Sequence, residues 1–326
     1  MLRDILSGDD PQITAFSAVV AHVAPDILVL TEIDYDGGLQ ALTALADTLA
    51  DAGQSYPYRF ALRPNSGVAT GLDMDGNGRT GEPRDAMGYG EFSGDGGMAI
   101  LSRFPLDVDR AQDLSALIWR DQPWASLPQR DGAPFPSEQV LDILRLSTTG
   151  HWRVPVLLPS GGSFHLLVSS ATPPVFDGPE DMNGLRNRDE LWLWQMVLDG
   201  AYGAAPTLFV LAANTNLDPV DGDGFVGAMA DFLADPRLVD PLPRSVGGRL
   251  AADADQAGQP DLDTADWPDG APGNLRVSYV LPSATWGAIS GAGVFWPAPD
   301  TPDAALLGPD GDAVGPHHLV WVDLVP

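Results

Sequence analysis

The sequence predicts one layered α/β domain that spans residues 1–326. Short apolar segments typical of buried strands recur along the chain, separated by segments with helical apolar spacing or by long loops rich in Gly, Pro and Asp. No internal repeat and no shift in composition marks a domain boundary. With 44% hydrophobic residues, a chain of 326 residues is long enough to bury a substantial core.

Three helices are predicted from apolar spacing and from residues that favour helix ends. Asp10 and Pro11 are typical of an N-cap and a first helical position, and Pro25 follows the helix that they begin. A second helix lies between 38 and 53, and a third lies around 188–198. Strands are predicted at 26–31, 58–62, 97–102, 153–158, 164–169, 207–213, 275–281 and 318–325. Polar, Gly-rich or Pro-rich surface insertions are predicted near 65–96, 111–136 and 249–273.

Composition and charge exclude several classes of function. The chain has 45 acidic and 17 basic residues, a formal net charge of −28, so it lacks the basic groove with which proteins bind nucleic acid. Cysteine is absent, which excludes thiolate nucleophiles, cysteine zinc sites and disulfides. All 17 basic residues are arginine, so lysine Schiff bases and a P-loop lysine are excluded as well. A GC-rich genome or a salt-adapted host explains the same acidic, lysine-free composition equally well.

The sequence shows no targeting or membrane segment. No stretch approaches the roughly 20 apolar residues of a membrane span. The first ten residues contain no apolar region of a signal peptide. We therefore expect a soluble protein, and the sequence leaves its compartment open.

Six segments occur in a recognisable order along nearly the whole chain. They are PDILVLTEIDYD (Pro25 to Asp36), YGEFSGDGGMAILSRFPL (Tyr89 to Leu106), SSATPPVFDGPEDMNGLRNRDE (Ser169 to Glu190), AANTNLDPVDGDG (Ala212 to Gly224), NLRVSYVLPS (Asn274 to Ser283) and HHLVWVDL (His317 to Leu324). Together they resemble the endonuclease/exonuclease/phosphatase superfamily, in a bacterial branch of phosphatase-like or phytase-like members that are often exported. The resemblance implies the DNase I-like fold, a four-layer α/β/β/α sandwich of two mixed β-sheets with the active site at one rim.

The chemistry that the resemblance implies is metal-assisted phosphoester hydrolysis. A divalent cation, usually Mg²⁺, polarises the phosphoryl group, a carboxylate activates water and a histidine stabilises the developing charge. Glu32 matches the family's metal-binding glutamate, Asn216 its phosphate-contacting asparagine, and His317 the histidine near its C-terminal end. Arg186 and Asn187 open a helix beside the family's substrate cleft and are candidates for substrate binding, with a structural salt bridge as an equal alternative for the arginine.

Four catalytic positions of the family carry other residues here. The aspartate expected to act as the base is Asn214, and the aspartate expected before His317 is Pro316. The histidine of the family's His-Pro-Thr-Pro-Pro segment is Ser170, and the aspartate of its Asp-Tyr-Val-Leu-Pro-Ser segment is Ser278. A carboxamide, a proline and two hydroxyls cannot replace these acids and bases at neutral pH, so we predict a degenerate active site.

The family's first strand, which carries a metal-site asparagine, is not evident in this sequence. Only ten residues precede Pro11, and they contain neither a strand pattern nor an asparagine. A misplaced gene start, a trimmed chain and a real loss of the strand all remain open. Loss of this strand would leave a sheet edge unpaired.

A second cation site is one interpretation of the Gly-rich loop near 65–96. Asp73, Asp75 and Asn77 resemble the first half of a calcium loop, but the twelfth position is Arg84 instead of a bidentate Glu, and no flanking helices are predicted. Non-EF-hand Ca²⁺ binding and plain Asx-Gly turns therefore remain as alternatives.

Two functional hypotheses follow from these residues. In the first, the protein is a catalytically degenerate homologue with a binding or accessory role toward a small phosphorylated molecule or an unknown protein partner. In the alternative, it is an active metal-dependent phosphoesterase for a small soluble phosphate ester, with relocated acids for which Asp34, Asp177 and Asp218 are candidates. Nucleic acid is disfavoured in both because of the net charge.

Overall fold

Helices and strands alternate along the chain. The computed structural model describes residues 1–268, 270, 272–309 and 311–325. Its helices are α1 (Leu2–Ser7), α2 (Pro11–Val23), α3 (Gln40–Asp51), α4 (Glu138–Leu141), α5 (Met182–Leu198), α6 (Val226–Leu233) and α7 (Val246–Leu250). Its strands are β1 (Ile27–Ile33), β2 (Tyr58–Phe60), β3 (Gly97–Ser102), β4 (Gln112–Asp113), β5 (Gln129–Arg130), β6 (Ala133–Pro134), β7 (Gly150–Leu157), β8 (Ser163–Ser170), β9 (Phe209–Asn214), β10 (Ser278–Pro282), β11 (Ala288–Val294) and β12 (Val320–Val325).

The alternation of side chains along the strands divides the core into three apolar layers. In β8, Leu166 and Val168 face the other sheet, whereas Leu167 faces the helices α5 and α6. In β3, Ile100 faces the other sheet and Leu101 faces the helices α1 to α3. Because both sheets bury both faces, the molecule has four layers in the order helices, sheet, sheet, helices. The four-layer α/β/β/α sandwich that the resemblance implies is confirmed.

The first sheet has the strand order β1-β3-β2 and is antiparallel throughout. Helix α2 begins as predicted, since the Asp10 side chain accepts a hydrogen bond from the backbone N–H of Ile13 at 3.0 Å. The Asp36 carboxylate accepts hydrogen bonds from the N–H groups of Gln40 (2.8 Å) and Ala41 (2.9 Å), which fixes the start of α3 directly after β1. These caps hold both helices against the outer face of the sheet.

The second sheet has the strand order β10-β9-β8-β7-β4 and is mixed. Strands β8 and β9 are parallel, and the other neighbouring pairs are antiparallel. A parallel pair requires a crossover connection, which here contains α5. Leu193 and Trp194 of this helix pack with Leu167 and Leu211 against the outer face of the sheet.

The strands at the ends of each sheet have one unpaired edge within the described residues, and two of these edges, those of β1 and β12, lie near the same apolar cluster. Strand β1 pairs only with β3, and β12 pairs only with β11. Residues 2–7 form α1, whose Ile5 packs in the same cluster as Leu28 of β1, and no described strand precedes α2. Leu319, just before β12, packs against that cluster as well, so both edges border one apolar layer. The family's first strand is therefore not found among the described residues.

The three segments predicted as surface insertions also contribute to the core. Met74 and Met87 of the 65–96 segment are buried, as are Trp119 and Phe135 of the 111–136 segment. Ala265 of the 249–273 segment is fully buried. The description as surface insertions is incomplete, because these polar loops carry isolated apolar residues that pack inward.

Most predicted strands lie within a few residues of the observed ones, and helix α5 begins earlier than predicted, at Met182. Helix α1 and strand β11 were not predicted, because α1 is short and β11 contains two glycines and an alanine among its central residues. None of the helices in the described residues is both long enough and apolar enough to cross a bilayer.

Truncation of Leu167 provides a test of the layer assignment. Leu167→Ala should lower the free energy of unfolding by about 2–5 kcal/mol, because this residue is 0% exposed between β8 and the helices. Leu157→Ala is the matched control on β7, where the side chain is 39% exposed, and should change stability by less than about 1 kcal/mol. Urea denaturation of both variants measures the difference, and equal losses would contradict the assignment.

Candidate functional site

Three of the positions where the resemblance implies substituted catalytic residues lie side by side at one rim of the mixed sheet. Asn214, the last residue of β9, pairs with Ser170 at the end of parallel β8 and with Ser278 at the start of antiparallel β10. Residues directly opposite on neighbouring strands project to the same face. The register therefore aligns one carboxamide between two hydroxyls, and none of these groups titrates near neutral pH. We call Ser170, Asn214 and Ser278 the rim row.

Asn216 lies in the loop that follows the rim row. Its backbone adopts the left-handed conformation, with φ 50°, and its N–H donates to Oδ1 of Asn214 at 3.4 Å. Its side-chain Nδ2 donates to the carbonyl oxygen of Ala171 at 2.7 Å. Asn216 thus ties the end of β9 to the end of β8, and its role toward phosphate remains a prediction.

His317 is brought to the same end of the sheet through Thr264. The hydroxyl oxygen of Thr264 accepts hydrogen bonds from the N–H groups of Val277 (2.9 Å) and Ser278 (3.0 Å), and the following residue, Ala265, forms a β-bridge with His317. The His317 ring packs edge-on against Trp267, with ring centroids 5.2 Å apart, and burial lowers its pKa. Pro316 is exposed and accepts the backbone N–H of Asp266 at 2.9 Å. A proline at this position supplies no carboxylate for the histidine.

Glu32 lies on a β-bulge of the other sheet. The register between β1 and β3 shifts between Thr31 and Ile33, and Glu32 adopts φ 58°. Bulges and left-handed non-glycine residues of this kind re-aim side chains and are enriched at functional sites. Gly96 leaves space for the carboxylate, since a Cβ at that position would lie 2.9 Å from Glu32 Oε2. The local backbone therefore directs Glu32 out of the strand pattern.

Other carboxylates surround Glu32. Its side chain is accessible at the rim but partly enclosed by protein, and this desolvation, together with the charges of Asp95 and Asp34, raises its pKa. Hydrogen bonds and ion pairs from other described residues do not reach its carboxylate. A divalent cation with oxygen ligands would offset this repulsion, so Glu32, Asp95 and Asp34 fit the kind of metal that the resemblance implies. Their ligand atoms do not converge as tightly as those of the acidic loop described below.

Contacts through the loop at 65–66 connect the two halves of the site. Ser66 Oγ donates to the carbonyl oxygen of Asp95 at 2.5 Å. The adjacent Asn65 donates through its backbone N–H to Thr149 O at 2.9 Å and through Nδ2 to Ser147 O at 2.7 Å. The neighbourhood of Glu32 is therefore connected to the loop that precedes β7 in the mixed sheet.

Arg186 is buried, and its hydrogen bonds go to backbone carbonyl groups. It is 5% exposed and donates to the carbonyl oxygens of Leu146 (2.9 Å), Met87 (2.9 Å) and Arg145 (2.7 Å), with a longer contact to Ser147. This arrangement joins two loops to α5. It uses the guanidinium for structure, and a substrate contact by Arg186 remains a prediction.

Asn187 and Glu190 extend this network toward the rim. Asn187 donates through Nδ2 to the carbonyl oxygens of Thr172 and Thr215, both at 2.7 Å. Glu190 is fully buried and accepts the N–H groups of Thr148 (2.6 Å) and Thr172 (2.7 Å). Burial raises the pKa of Glu190 to about 7, opposed by the positive charge of Arg186 and by these hydrogen bonds. Both residues position the loops that follow β8 and β9.

The three candidates for relocated acids lie in different surroundings. Asp34 is next to Glu32, and its Oδ2 lies 3.8 Å from the backbone nitrogen of Met1. Asp177 accepts the backbone N–H of Asn183 at the start of α5. Asp218 is buried and accepts the N–H groups of Val220, Asp221 and Arg276. Of the three candidates, Asp34 is therefore the one that lies close to the Glu32 side chain.

The loop predicted as an alternative calcium site brings three carboxylates together. Ligand oxygens of Asp73, Asp75 and Asp85 lie within 4.8 Å of one another, the tightest such acidic group in the described residues. Asp85 is buried and accepts the N–H groups of Met74 and Glu82 at 2.9 Å each. Asn77 donates from Nδ2 to Asp75 and Glu82, so it acts as a donor in this loop. Calcium binding here remains a prediction.

Comparison with known families decides where this chain belongs. The model of the Endonuclease/Exonuclease/phosphatase family matches residues 5–307. The chain belongs to this family. No curated protein matches it.

One solved structure shows the same fold at low sequence identity, and two others are similar over most of their length. An endonuclease/exonuclease/phosphatase from Beutenbergia cavernae is 19% identical with a TM-score of 0.55, and the match covers 96% of this chain and 65% of that one, so this chain spans less than two thirds of that protein's length. Sphingomyelinase C from Streptomyces griseocarneus is 16% identical with a TM-score of 0.46, covering 88% and 84% of the two chains. A mutant beta toxin from Staphylococcus aureus with bound magnesium ions is 12% identical with a TM-score of 0.45, covering 98% and 91%. The last two TM-scores are below 0.5, so these likenesses carry no structural argument.

The sequence did not indicate three residues that lie beside the rim of this protein or hold its loops in place. Asp95 stands in a segment that resembles the family, but no motif singled it out as a neighbour of Glu32. Glu190 is the last residue of a segment that resembles the family, and nothing in the sequence indicated that it is buried. Thr264 lies in a segment predicted as a surface loop, although it is 0% exposed. Only their long-range contacts reveal these roles.

Substitution of Arg186 tests whether it acts as a structural residue. Arg186→Met should lower the free energy of unfolding by about 3 kcal/mol or more, because it leaves buried carbonyl groups without a donor and removes the positive charge near Glu190. Arg110→Met is the control, because this arginine is 81% exposed and its ion pair with Asp107 lies near the surface, and it should cost about 1 kcal/mol or less. Urea denaturation measures both values, and a small loss for Arg186→Met would argue against the structural role.

Proposed function

We propose that this family member binds a divalent cation and a small phosphate ester at the rim, and serves a binding or accessory role without efficient hydrolysis. The rim row carries this proposal. Its three adjacent strand ends hold Ser170, Asn214 and Ser278 where the family resemblance expects a histidine and two aspartates. Each general acid or base contributes roughly 10²- to 10⁴-fold to a rate, so the combined substitutions should remove most of the hydrolytic activity.

The proposed cation is Mg²⁺ at Glu32, with Asp95 and Asp34 as further oxygen donors. When bound there, the cation would polarise a phosphoryl oxygen. The bulge and the positive φ of Glu32 direct its side chain out of the strand pattern, and its carboxylate has no partner among the described residues. The carboxylate is therefore available to coordinate a metal ion. Asp95 is held in place by Ser66 and by the N–H of Glu91, which donates to its Oδ2 at 2.8 Å.

The proposed ligand is a small phosphorylated molecule. A net charge of −28 repels a long polyanion, whereas a single phosphate can be neutralised locally by a bound cation. The described ion pairs engage several of the arginines with nearby carboxylates, which leaves the cation as the main proposed counter-charge for phosphate. A protein partner instead of a small molecule is an outcome that the binding experiment below distinguishes.

Cation binding is the first test of this proposal. Calorimetric titration of the wild type with MgCl₂ should show binding that Glu32→Gln weakens by about tenfold or more, because the variant removes a charged ligand with little change in shape. Asp75→Asn is the matched control, since it alters the separate acidic loop and should leave this binding intact. Subsequent titration with inorganic phosphate should show binding only when Mg²⁺ is present. If neither ion binds, the small-phosphate proposal is wrong and a search for protein partners becomes the next step.

Hydrolysis is the second test, and it separates the two functional hypotheses. Wild type with generic phosphomonoesters and phosphodiesters, in the presence of Mg²⁺, Mn²⁺ or Ca²⁺, should show no more turnover than Glu32→Ala. The combined variant Ser170→His, Asn214→Asp and Ser278→Asp restores the family's residues at the rim row and should exceed wild type by about 10²-fold. Circular dichroism of each variant checks that it is folded.

Turnover by the wild type that Glu32→Ala abolishes would contradict the degenerate-site proposal. It would favour the alternative, an active metal-dependent phosphoesterase with relocated acids. Asp34 is then the first residue to replace, because it is the candidate whose charge acts on Glu32. Asp34→Asn would lower that turnover if the alternative is right.

A further inference from the structure

A polar cluster lies between the 249–273 loop and the segment that leads into β10. It consists of Asp253, Gln256, Asp263 and Asn274, and we call it the 253–274 cluster. Asp263 and Asn274 are each 2% exposed, and the other two side chains are half-buried. The cluster is separate from Glu32 and from the acidic loop at Asp73.

Hydrogen bonds fix the four side chains relative to one another. Asp253 Oδ2 accepts the backbone N–H of Asn274 at 2.5 Å, and Asn274 Nδ2 donates to the carbonyl oxygen of Ala251 at 2.7 Å. Gln256 Nε2 donates to Asp263 Oδ2 at 2.5 Å, and the backbone N–H of Gln256 donates to Asp253 O at 3.4 Å. Both amide side chains therefore use their nitrogen as a donor to an identified acceptor, which leaves their oxygen atoms free.

Three oxygen atoms of this cluster are buried and have no hydrogen-bond partner among the residues that the structure describes. They are Oδ1 of Asp253, Oε1 of Gln256 and Oδ1 of Asn274. A buried polar atom without a partner is costly, so such atoms are rare, and three within one set of linked side chains call for a ligand. All three are acceptors, and the missing group is therefore a donor or a cation.

The charge of the cluster favours a cation over a neutral donor. Asp263 forms no ion pair with any described residue, and burial, with the charges of Asp218, Asp221 and Asp253, raises its pKa to about 7. Arg276, the buried guanidinium of this region, is engaged by both oxygens of Asp240 at 2.6 and 2.7 Å. The carboxylates that face Asp263 thus outnumber the positive charges available to them.

We propose that the 253–274 cluster is a calcium site, with Asp253, Gln256, Asp263 and Asn274 as its oxygen ligands. Carboxylate and carboxamide oxygens on irregular loops are the donor set that Ca²⁺ accepts, and its flexible coordination tolerates ligands from separate turns better than Mg²⁺ does. The site would be structural. Thr264 follows Asp263 and holds the N–H groups of Val277 and Ser278, so an ion at Asp263 would stabilise the segment that places the rim row and His317.

Thermal unfolding with and without calcium tests this site. We expect the wild type to unfold several degrees higher in millimolar CaCl₂ than in EDTA, since a ligand that binds only the folded state stabilises it. Asp263→Asn should remove most of this increase. In EDTA, the same variant should be as stable as wild type or more stable, because it eliminates a buried charge and keeps an oxygen that can accept from Gln256. This opposite effect in the two conditions would not occur if Asp263 only supported the fold.

A second variant and a matched control keep the test decisive. Gln256→Met changes a half-buried side chain of similar length and should weaken calcium binding in calorimetry by about tenfold, even if Asp263→Asn fails to fold. Asp75→Asn, in the other acidic loop, should leave the Asp263-dependent increase in unfolding temperature unchanged. The proposal is overturned if CaCl₂ does not stabilise the wild type, or if Gln256→Met binds calcium as wild type does. An equal increase in unfolding temperature with MgCl₂ that Asp263→Asn also removes would overturn the assignment to Ca²⁺.

Discussion

The rim depends on the hydrogen bonds that α5 makes with the backbone around it. Arg186, Asn187 and Glu190 are buried, and their side chains bond to carbonyl or N–H groups of the loops at 145–148, 172 and 215. Buried charges persist in a folded protein only when partners surround them. Because the three residues lie within two turns of one helix, they fix the loops after β8 and β9 and the loop before β7 relative to one another.

Because the rim arises in this way, its geometry does not depend on the side chains of the rim row. The rim row consists of strand ends whose positions follow from backbone pairing between β8, β9 and β10. Neither that pairing nor the bonds from α5 require an acid or a histidine at these positions. The side-chain contact of Asn214 with the following loop is local, because its Oδ1 accepts the N–H of Asn216, two residues along the chain. Fold and chemistry are therefore separable at this site.

The sequence predicted the parts of the molecule that local patterns determine. The Asp10 cap and the apolar strands follow from local spacing, and the structure contains them, whereas the adjacency of the rim row follows from the strand register. The surroundings of α5 could not be predicted in this way. Trp119 donates from Nε1 to Asp189 at 2.8 Å across 70 residues of sequence, and the 111–136 segment, which was predicted as a surface insertion, covers the helix. Periodicity within a helix does not reveal which distant loop covers it.

The partners of individual carboxylates connect the acidic composition of this chain to the cation sites that we propose. Asp235 has an arginine partner, and hydrogen bonds from Arg237 lower its pKa to about 2. Asp263 has none, and burial among other acids raises its pKa to about 7. With 45 acidic residues, 17 arginines and no lysine, the chain cannot provide a basic partner for every carboxylate that folding brings together. Surface acids are solvated by water, but acids enclosed by protein must be protonated, bonded to backbone N–H groups as Asp218 is, or neutralised by a cation. Among the described residues, no backbone N–H donates to Glu32 at the rim, and Asp263 in the loop accepts from the side-chain amide of Gln256. A cation is the solution that we propose for both carboxylates.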